Sequence, residues 1–150
     1  MAIQRMDNVL IVVEDLDAAV AFFVELGMEL EGRMPLEGAR WAERVIGLDD
    51  VRQEVAMLRT PDGHGKVELA MFRTPKAVRN GPVDAPSNTL GIRRVMFAVD
   101  DVEDTVARLR DAHGAELVGE LVRFEDSYRL CYVRGPEGIV VGLAEPLGSD

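Results

Sequence analysis

Histidine and cysteine, two side chains that often perform catalysis, are few in this sequence. The chain has one cysteine, Cys131, and two histidines, His64 and His113. His64 lies in a turn between two predicted strands, and His113 ends a predicted helix, where a cation favours the helix dipole. We therefore predict a buried apolar role for Cys131 and no catalytic role for either histidine, although histidine is the commonest general base. A catalytic role for any of the three is the alternative.

Length and composition fit one globular domain. The chain has 150 residues, of which 47% are apolar and 29% charged, and a domain of that size buries about 70% of its unfolded surface without needing disulfides. The apolar run at 9–13 is broken by acidic residues too soon for a membrane span or a signal peptide. A lone cysteine also fits a reducing compartment. We expect the chain to be cytoplasmic.

The charge balance excludes two classes of partner. Against 27 Asp and Glu the chain has 17 Lys and Arg, a net charge of −10, which repels nucleic-acid phosphates and anionic membrane surfaces. We predict neither as a partner. The acidity either keeps the protein soluble or attracts cationic small molecules. Lysine is rare beside arginine, a bias that we associate with GC-rich bacterial genomes.

The predicted strands and helices that would position a functional site form an internal repeat. The segment Asn8–Asp15 is typical of a buried strand, and apolar residues at helical spacing follow it up to Gly27. Arg94–Asp101 begins the same pattern, whose helix is predicted to end at Gly114. The aspartate that ends each segment is a predicted N-cap, because its carboxylate can accept from free helix amides.

The two halves also end alike, with a Pro/Gly turn at 59–63 and at 134–138 before a last strand. Each half therefore reads as a strand, a helix and three strands, and the first half carries an extra segment at about 35–50. The predicted boundaries are those of one domain over 1–150, with a first module at 6–73, a linker at 74–90 and a second module at 91–145. The fold class is α+β: two tandem βαβββ modules whose mixed sheets pair into a concave cleft, with the helices outside.

This double βαβββ pattern, with its acidic helix caps and Pro-acid-Gly turns, resembles the vicinal oxygen chelate superfamily. That superfamily includes glyoxalase I, extradiol dioxygenases and the bleomycin-resistance proteins. The resemblance runs from about Met6 to Pro146 and implies, in metal-dependent members, His or Glu ligands on the first and last strand of each half.

The positions that match those ligands are Asn8, Glu68, Arg94 and Gly142. Glu68 is a good ligand, but Gly142 offers no side chain and Arg94 places a permanent cation where a metal would sit. We therefore predict no metal and no other cofactor, and the metal-free, antibiotic-binding branch of the superfamily is the closest in character.

Strand alternation and the resemblance together predict an apolar cleft with a few polar groups, as is usual for a small-molecule site. Trp41, in the extra segment, could cover the cleft by stacking, and Glu68 and Arg94 could either form an ion pair or orient a polar ligand. The predicted ligand-binding residues are Asn8, Leu10, Trp41, Met57, Glu68, Ala70, Phe72, Arg94, Met96, Tyr128 and Tyr132.

The resemblance and the lost metal ligands favour a binding protein over an enzyme. We expect a homodimer that sequesters a hydrophobic or aromatic antibiotic, or a glycopeptide-like one, in clefts at its interface. The alternative is an isomerase, lyase or dioxygenase that uses Glu68 as a base, with Arg94 stabilising an oxyanion, or that uses an unforeseen divalent metal. A third possibility is a scaffold or regulatory domain with a vestigial cleft.

Overall fold

In the computed structural model the chain divides into two units, with the boundary between Arg79 and Asn80. The structure describes residues 2–148. The elements of the first unit are β1 (Val9–Val12), α1 (Leu16–Leu26), β2 (Glu29–Glu37), α2 (Arg40–Ile46), β3 (Arg52–Arg59) and β4 (Lys66–Thr74). Those of the second unit are β5 (Arg94–Ala98), α3 (Val102–His113), β6 (Val122–Phe124), β7 (Tyr128–Arg134), a short 3-10 turn (Pro136–Gly138) and β8 (Val140–Pro146).

Each unit contains one mixed four-stranded sheet, and the two sheets have the same topology. The strand order is β1-β4-β3-β2 in the first sheet and β5-β8-β7-β6 in the second. The pairs β1/β4 and β5/β8 are parallel, and the other neighbours are antiparallel. The predicted α+β class and the two tandem βαβββ modules are confirmed.

The helix that follows the first strand of each unit is capped as predicted. The Asp15 carboxylate accepts a hydrogen bond from the Ala18 N–H at 3.0 Å, and Asp101 accepts from the Asp104 N–H at the same distance. Glycines in positive-φ backbone follow the last turns of both helices. The apolar face of α1 is buried, at Leu16, Ala19, Val20, Phe22, Phe23 and Leu26.

The extra segment of the first unit contains a helix, α2, that the sequence pattern did not predict. Its N-cap residue, Ala39, makes no side-chain capping bond, and Ala42 is its buried residue. The helix ends at Gly47, whose left-handed backbone (φ 81°) suits glycine. A seven-residue helix with one buried position shows no apolar periodicity, which explains why the pattern missed it. No helix within residues 2–148 is long and apolar enough to cross a membrane.

Cys131 lies on β7 and is 3% exposed, which confirms its predicted buried position. Burial raises the pKa of its thiol above the ordinary value, because the thiolate would lose its hydration.

We expect Cys131 to react with a thiol reagent at least about 10-fold more slowly in the native protein than in denaturant. In the unfolded chain the Cys131 thiol ionises at a lower pH than in the folded protein. The free energy of unfolding should therefore fall as the pH rises above the ordinary pKa of a thiol. Native and denatured rates that are equal would contradict this burial.

Candidate functional site

The first sheet has a face turned away from α1, which we call the first open face. Strand register aligns Leu10, Glu68 and Met57 across β1, β4 and β3, so their side chains share this face. Leu10 is 50% exposed and Met34, on β2, is 53% exposed. The first open face is therefore an apolar surface with a carboxylate in its middle.

Other predicted residues lie on or beside the first open face. Ala70 and Phe72 follow Glu68 at alternate positions of β4, so they share its face, and Ala70 is fully buried. Asn8 immediately precedes β1, and its amide donates to the Asp7 carboxylate at 3.4 Å. Trp41 lies instead on α2, where it is 65% exposed.

The second sheet has a corresponding face turned away from α3, the second open face. Register aligns Met96, Gly142 and Tyr132 across β5, β8 and β7, and Arg94 and Tyr128 lie on the same side. Met96, Tyr128 and Phe124 are exposed apolar or aromatic side chains on it. The prediction that the two tyrosines share one face of their strand is confirmed. Glu68 and Arg94 lie in different units, and their predicted ion pair stays a prediction.

Arg94 is held against Tyr132 on the second open face. The Arg94 Nη1 donates to the Tyr132 hydroxyl oxygen at 2.6 Å, and the guanidinium carbon lies 4.7 Å from the centre of the tyrosine ring. A guanidinium over an aromatic face gains from the ring quadrupole. The two side chains therefore form one preorganised donor group, with a fixed cation and a fixed hydroxyl.

Gly142 leaves the space that this arrangement needs. A Cβ at this position would lie 3.1 Å from the Met96 sulfur and 3.3 Å from the Arg94 Cδ. These distances are shorter than ordinary van der Waals contacts, so a side chain at Gly142 would push both neighbours. The absence of a side chain lets Met96 and Arg94 lie close over the middle strand of the face.

Next to this group is a cavity of about 340 Å³. Its lining residues are Ser87, Ile92, Arg93, Arg94, Tyr132 and Val140. The sequence pattern predicted Arg94 and Tyr132 but missed the other four. Three of those four lie between the last proline of the predicted linker and β5, where the composition indicates only an irregular connection.

Arg134 and Gly138 hold that irregular connection against the second unit. The Arg134 guanidinium donates to the Gly138 carbonyl at 3.0 Å and to the Asp84 carbonyl at 3.3 Å. A Cβ on Gly138 would lie 1.5 Å from the Val83 carbonyl oxygen, so the two backbones approach as closely as glycine alone allows. The connection is therefore a fixed part of the second unit, and it supplies one wall of the cavity.

The residues at the positions where the resemblance implies a metal do not fit one. Within residues 2–148 no group of three or more His, Cys, Asp or Glu side chains could hold a metal ion. Gly142 supplies no donor, its space is bordered by Met96 and Arg94, and Arg94 repels a cation. At these positions the two faces offer apolar contacts, hydrogen bonds and the charges of Glu68 and Arg94.

A family model described as the Glyoxalase/Bleomycin resistance protein/Dioxygenase superfamily matches residues 5–143. Among solved structures, a glyoxalase family protein from Bacillus cereus is 56% identical, with a TM-score of 0.92 and 99% of each chain covered. TnmS3, an antibiotic binding protein from Streptomyces, is 23% identical, with a TM-score of 0.55 and coverage of 97% of this chain and 98% of that one. A glyoxalase family protein from Enterococcus faecalis is 20% identical, with a TM-score of 0.63 and coverage of 97% and 100%.

No curated protein matches the chain. The likenesses to TnmS3 and to the Enterococcus protein show a shared fold, whereas the Bacillus protein is similar in sequence over the whole length of both chains. The family model covers both modules. The chain belongs to the glyoxalase/bleomycin resistance protein/dioxygenase superfamily, which the sequence resemblance predicted.

Proposed function

We propose that this protein is a metal-independent binding protein that sequesters a hydrophobic or aromatic natural product, such as an antibiotic, and that it acts as a cytoplasmic homodimer. The observation that carries the proposal is the pair of open faces. Each presents exposed apolar side chains, among them Leu10 and Met34 on the first and Met96 and Phe124 on the second. Exposed apolar surface of this kind, with few polar groups, is typical of ligand or partner sites.

The side chains of these faces suit binding better than chemistry. Methionine is unbranched and polarizable, so Met57 and Met96 can adapt to a flat ligand. Tyr132 and Arg94 add a fixed polar group that orients a ligand without reacting with it. The superfamily's metal-dependent reactions need a bound metal ion, and the family's metal positions in this chain lack the donors that would hold one.

The comparisons support the ligand class. TnmS3 is described as an antibiotic binding protein, and it shares this fold. Because sequestration requires affinity and no reaction, the same fold without metal ligands is sufficient for it. A homodimer follows from the same surfaces, since a second copy and a ligand together would bury the apolar residues that a single chain leaves exposed.

The test is a calorimetric titration with a panel of aromatic antibiotics and aromatic metabolites in the presence of a chelator, with Trp41 fluorescence followed in parallel. We expect saturable binding of at least one of them. Sedimentation of the same sample should give the mass of a dimer. Failure of every member of the panel to bind would favour a scaffold role and contradict the proposal.

A charge on the second open face should weaken this binding. Met96→Glu places a carboxylate on a surface that must lose water when an apolar ligand binds, so we expect affinity to fall about 10-fold or more. Val24→Glu is the matched control and should leave affinity unchanged, because Val24 is 46% exposed on α1, on the side of the first sheet opposite the first open face. Equal effects of the two variants would show that the ligand does not contact the second open face.

One observation keeps an enzymatic role as the second candidate. Glu68 is a half-buried carboxylate among apolar neighbours on the first open face, which is a suitable place for a general base. The bound ligand recovered after incubation decides between the two functions. Recovery of unchanged ligand supports sequestration, whereas product formation that is lost in Glu68→Gln supports the enzyme.

A further inference from the structure

The second unit has two adjacent arginines that its carboxylates do not neutralise. Other arginines of this unit form ion pairs, as Arg129 does with Glu103 at 2.8 Å. Among the residues described between 80 and 148, no carboxylate pairs with Arg93 or Arg94. The chain has a net charge of −10. Because the described carboxylates of this unit do not pair with these two consecutive arginines, the arginine N–H groups remain available to an external anion.

Arg93 carries an unsatisfied donor. Its Nε is buried and has no hydrogen-bond partner in the described part of the chain, whereas its Nη2 donates to the Leu90 carbonyl at 3.0 Å. A buried N–H without an acceptor is unfavourable, and in folded proteins it is uncommon. Arg93 is one of the residues that line the 340 Å³ cavity, so its positive charge lies beside an anion bound there.

The remaining polar groups of the cavity are donors as well. Because the Tyr132 hydroxyl oxygen accepts from Arg94, its own proton is free to be donated to a ligand. Arg94 keeps further N–H groups besides the one bound to Tyr132, and the Ser87 hydroxyl is a third kind of donor. No carboxylate is among the described residues that line the cavity. A concave site in which cations and hydroxyl donors converge is suited to an oxyanion.

The other walls of the cavity are apolar. Ile92 and Val140 line it beside the donors, and a volume of 340 Å³ is near the lower end of the range of about 300–1,000 Å³ typical of ligand pockets. The planar guanidinium of Arg94 matches the geometry of a carboxylate. We propose that this cavity binds the carboxylate of a small organic acid, with Arg94 and Arg93 as its cations. The inference rests on the proposed binding function and names the charge of the ligand.

The test compares sodium benzoate with neutral benzamide, which has the same shape, by calorimetric titration at low ionic strength. We expect benzoate to bind about 10-fold or more tightly than benzamide, and its affinity to fall as salt is added. Arg94→Gln keeps a donor for Tyr132 but removes the charge, and it should remove the preference for benzoate. Arg123→Gln, which breaks the exposed pair with Asp126 in the same unit, is the control and should retain the preference.

Three results would overturn the assignment. They are equal affinities for benzoate and benzamide, an Arg94→Gln variant that keeps the preference, and inorganic phosphate that binds more tightly than benzoate. A thermal melt of each variant shows that it is folded. If panel antibiotics bind without any benzoate preference, the anion site alone is wrong. If benzoate binds in an Arg94-dependent way but no natural product does, the proposed function alone is wrong.

Discussion

Gly138→Ala is expected to lower the free energy of unfolding by more than about 3 kcal/mol, which makes it one of the most damaging single substitutions in the chain. Gly138 has a positive φ of 75°, and a Cβ there would lie 1.5 Å from the Val83 carbonyl oxygen. The left-handed backbone alone costs about 1–2 kcal/mol for alanine. The steric overlap adds more, because it falls on backbone that cannot rotate away and must move as a segment.

Thermal unfolding measures this effect. For a chain of this size each 1 kcal/mol lowers Tm by about 2–4 °C, so a fall of roughly 10 °C is expected. Gly119→Ala is the matched control in the same unit, because nothing lies within 4 Å of the added Cβ and φ is not positive. The control should change Tm little. If Gly138→Ala were as stable as Gly119→Ala, the connection at 80–92 would not be packed against the second unit, and the cavity would lack this wall.

Phe23→Ala should destabilise the first unit by about 3–5 kcal/mol. Phe23 is fully buried on α1 and packs edge to face against Phe22, with ring centres 5.2 Å apart. Removing the ring leaves a cavity between the helix and the sheet that the surrounding strands can fill only in part. Chemical denaturation followed by circular dichroism reports the change.

The next residue on the same helix provides the control for Phe23. Val24 is 46% exposed, so Val24→Ala is expected to change the free energy of unfolding by less than about 0.5 kcal/mol. A loss below about 1 kcal/mol for Phe23→Ala would contradict the packing of α1 on the first sheet.

The repeating elements could be predicted because their signals are local. Asp15 and Asp101 cap helices through hydrogen bonds that span three residues, and the strands alternate in a way that the printed sequence shows directly. The same alternation predicted the face shared by Tyr128 and Tyr132. Local rules of this kind also predicted the helices α1 and α3.

The cavity could not be predicted, because the contacts that build it are not local. Arg134 reaches the Asp84 carbonyl, which lies 50 residues earlier in the chain. Nothing in the composition of that connection indicates that it folds against the second unit, since Pro and Gly are equally typical of a free linker. The role of Arg93 is hidden for the same reason, because its significance lies in a buried Nε without a partner.

Metal-independent binding is tested by metal analysis and ligand titration on one sample purified without added metal. We expect less than about a tenth of an equivalent of any transition metal, and a ligand affinity that chelator does not change. Near-stoichiometric manganese, iron, zinc or nickel, or binding that is lost with chelator and restored by metal, would contradict it.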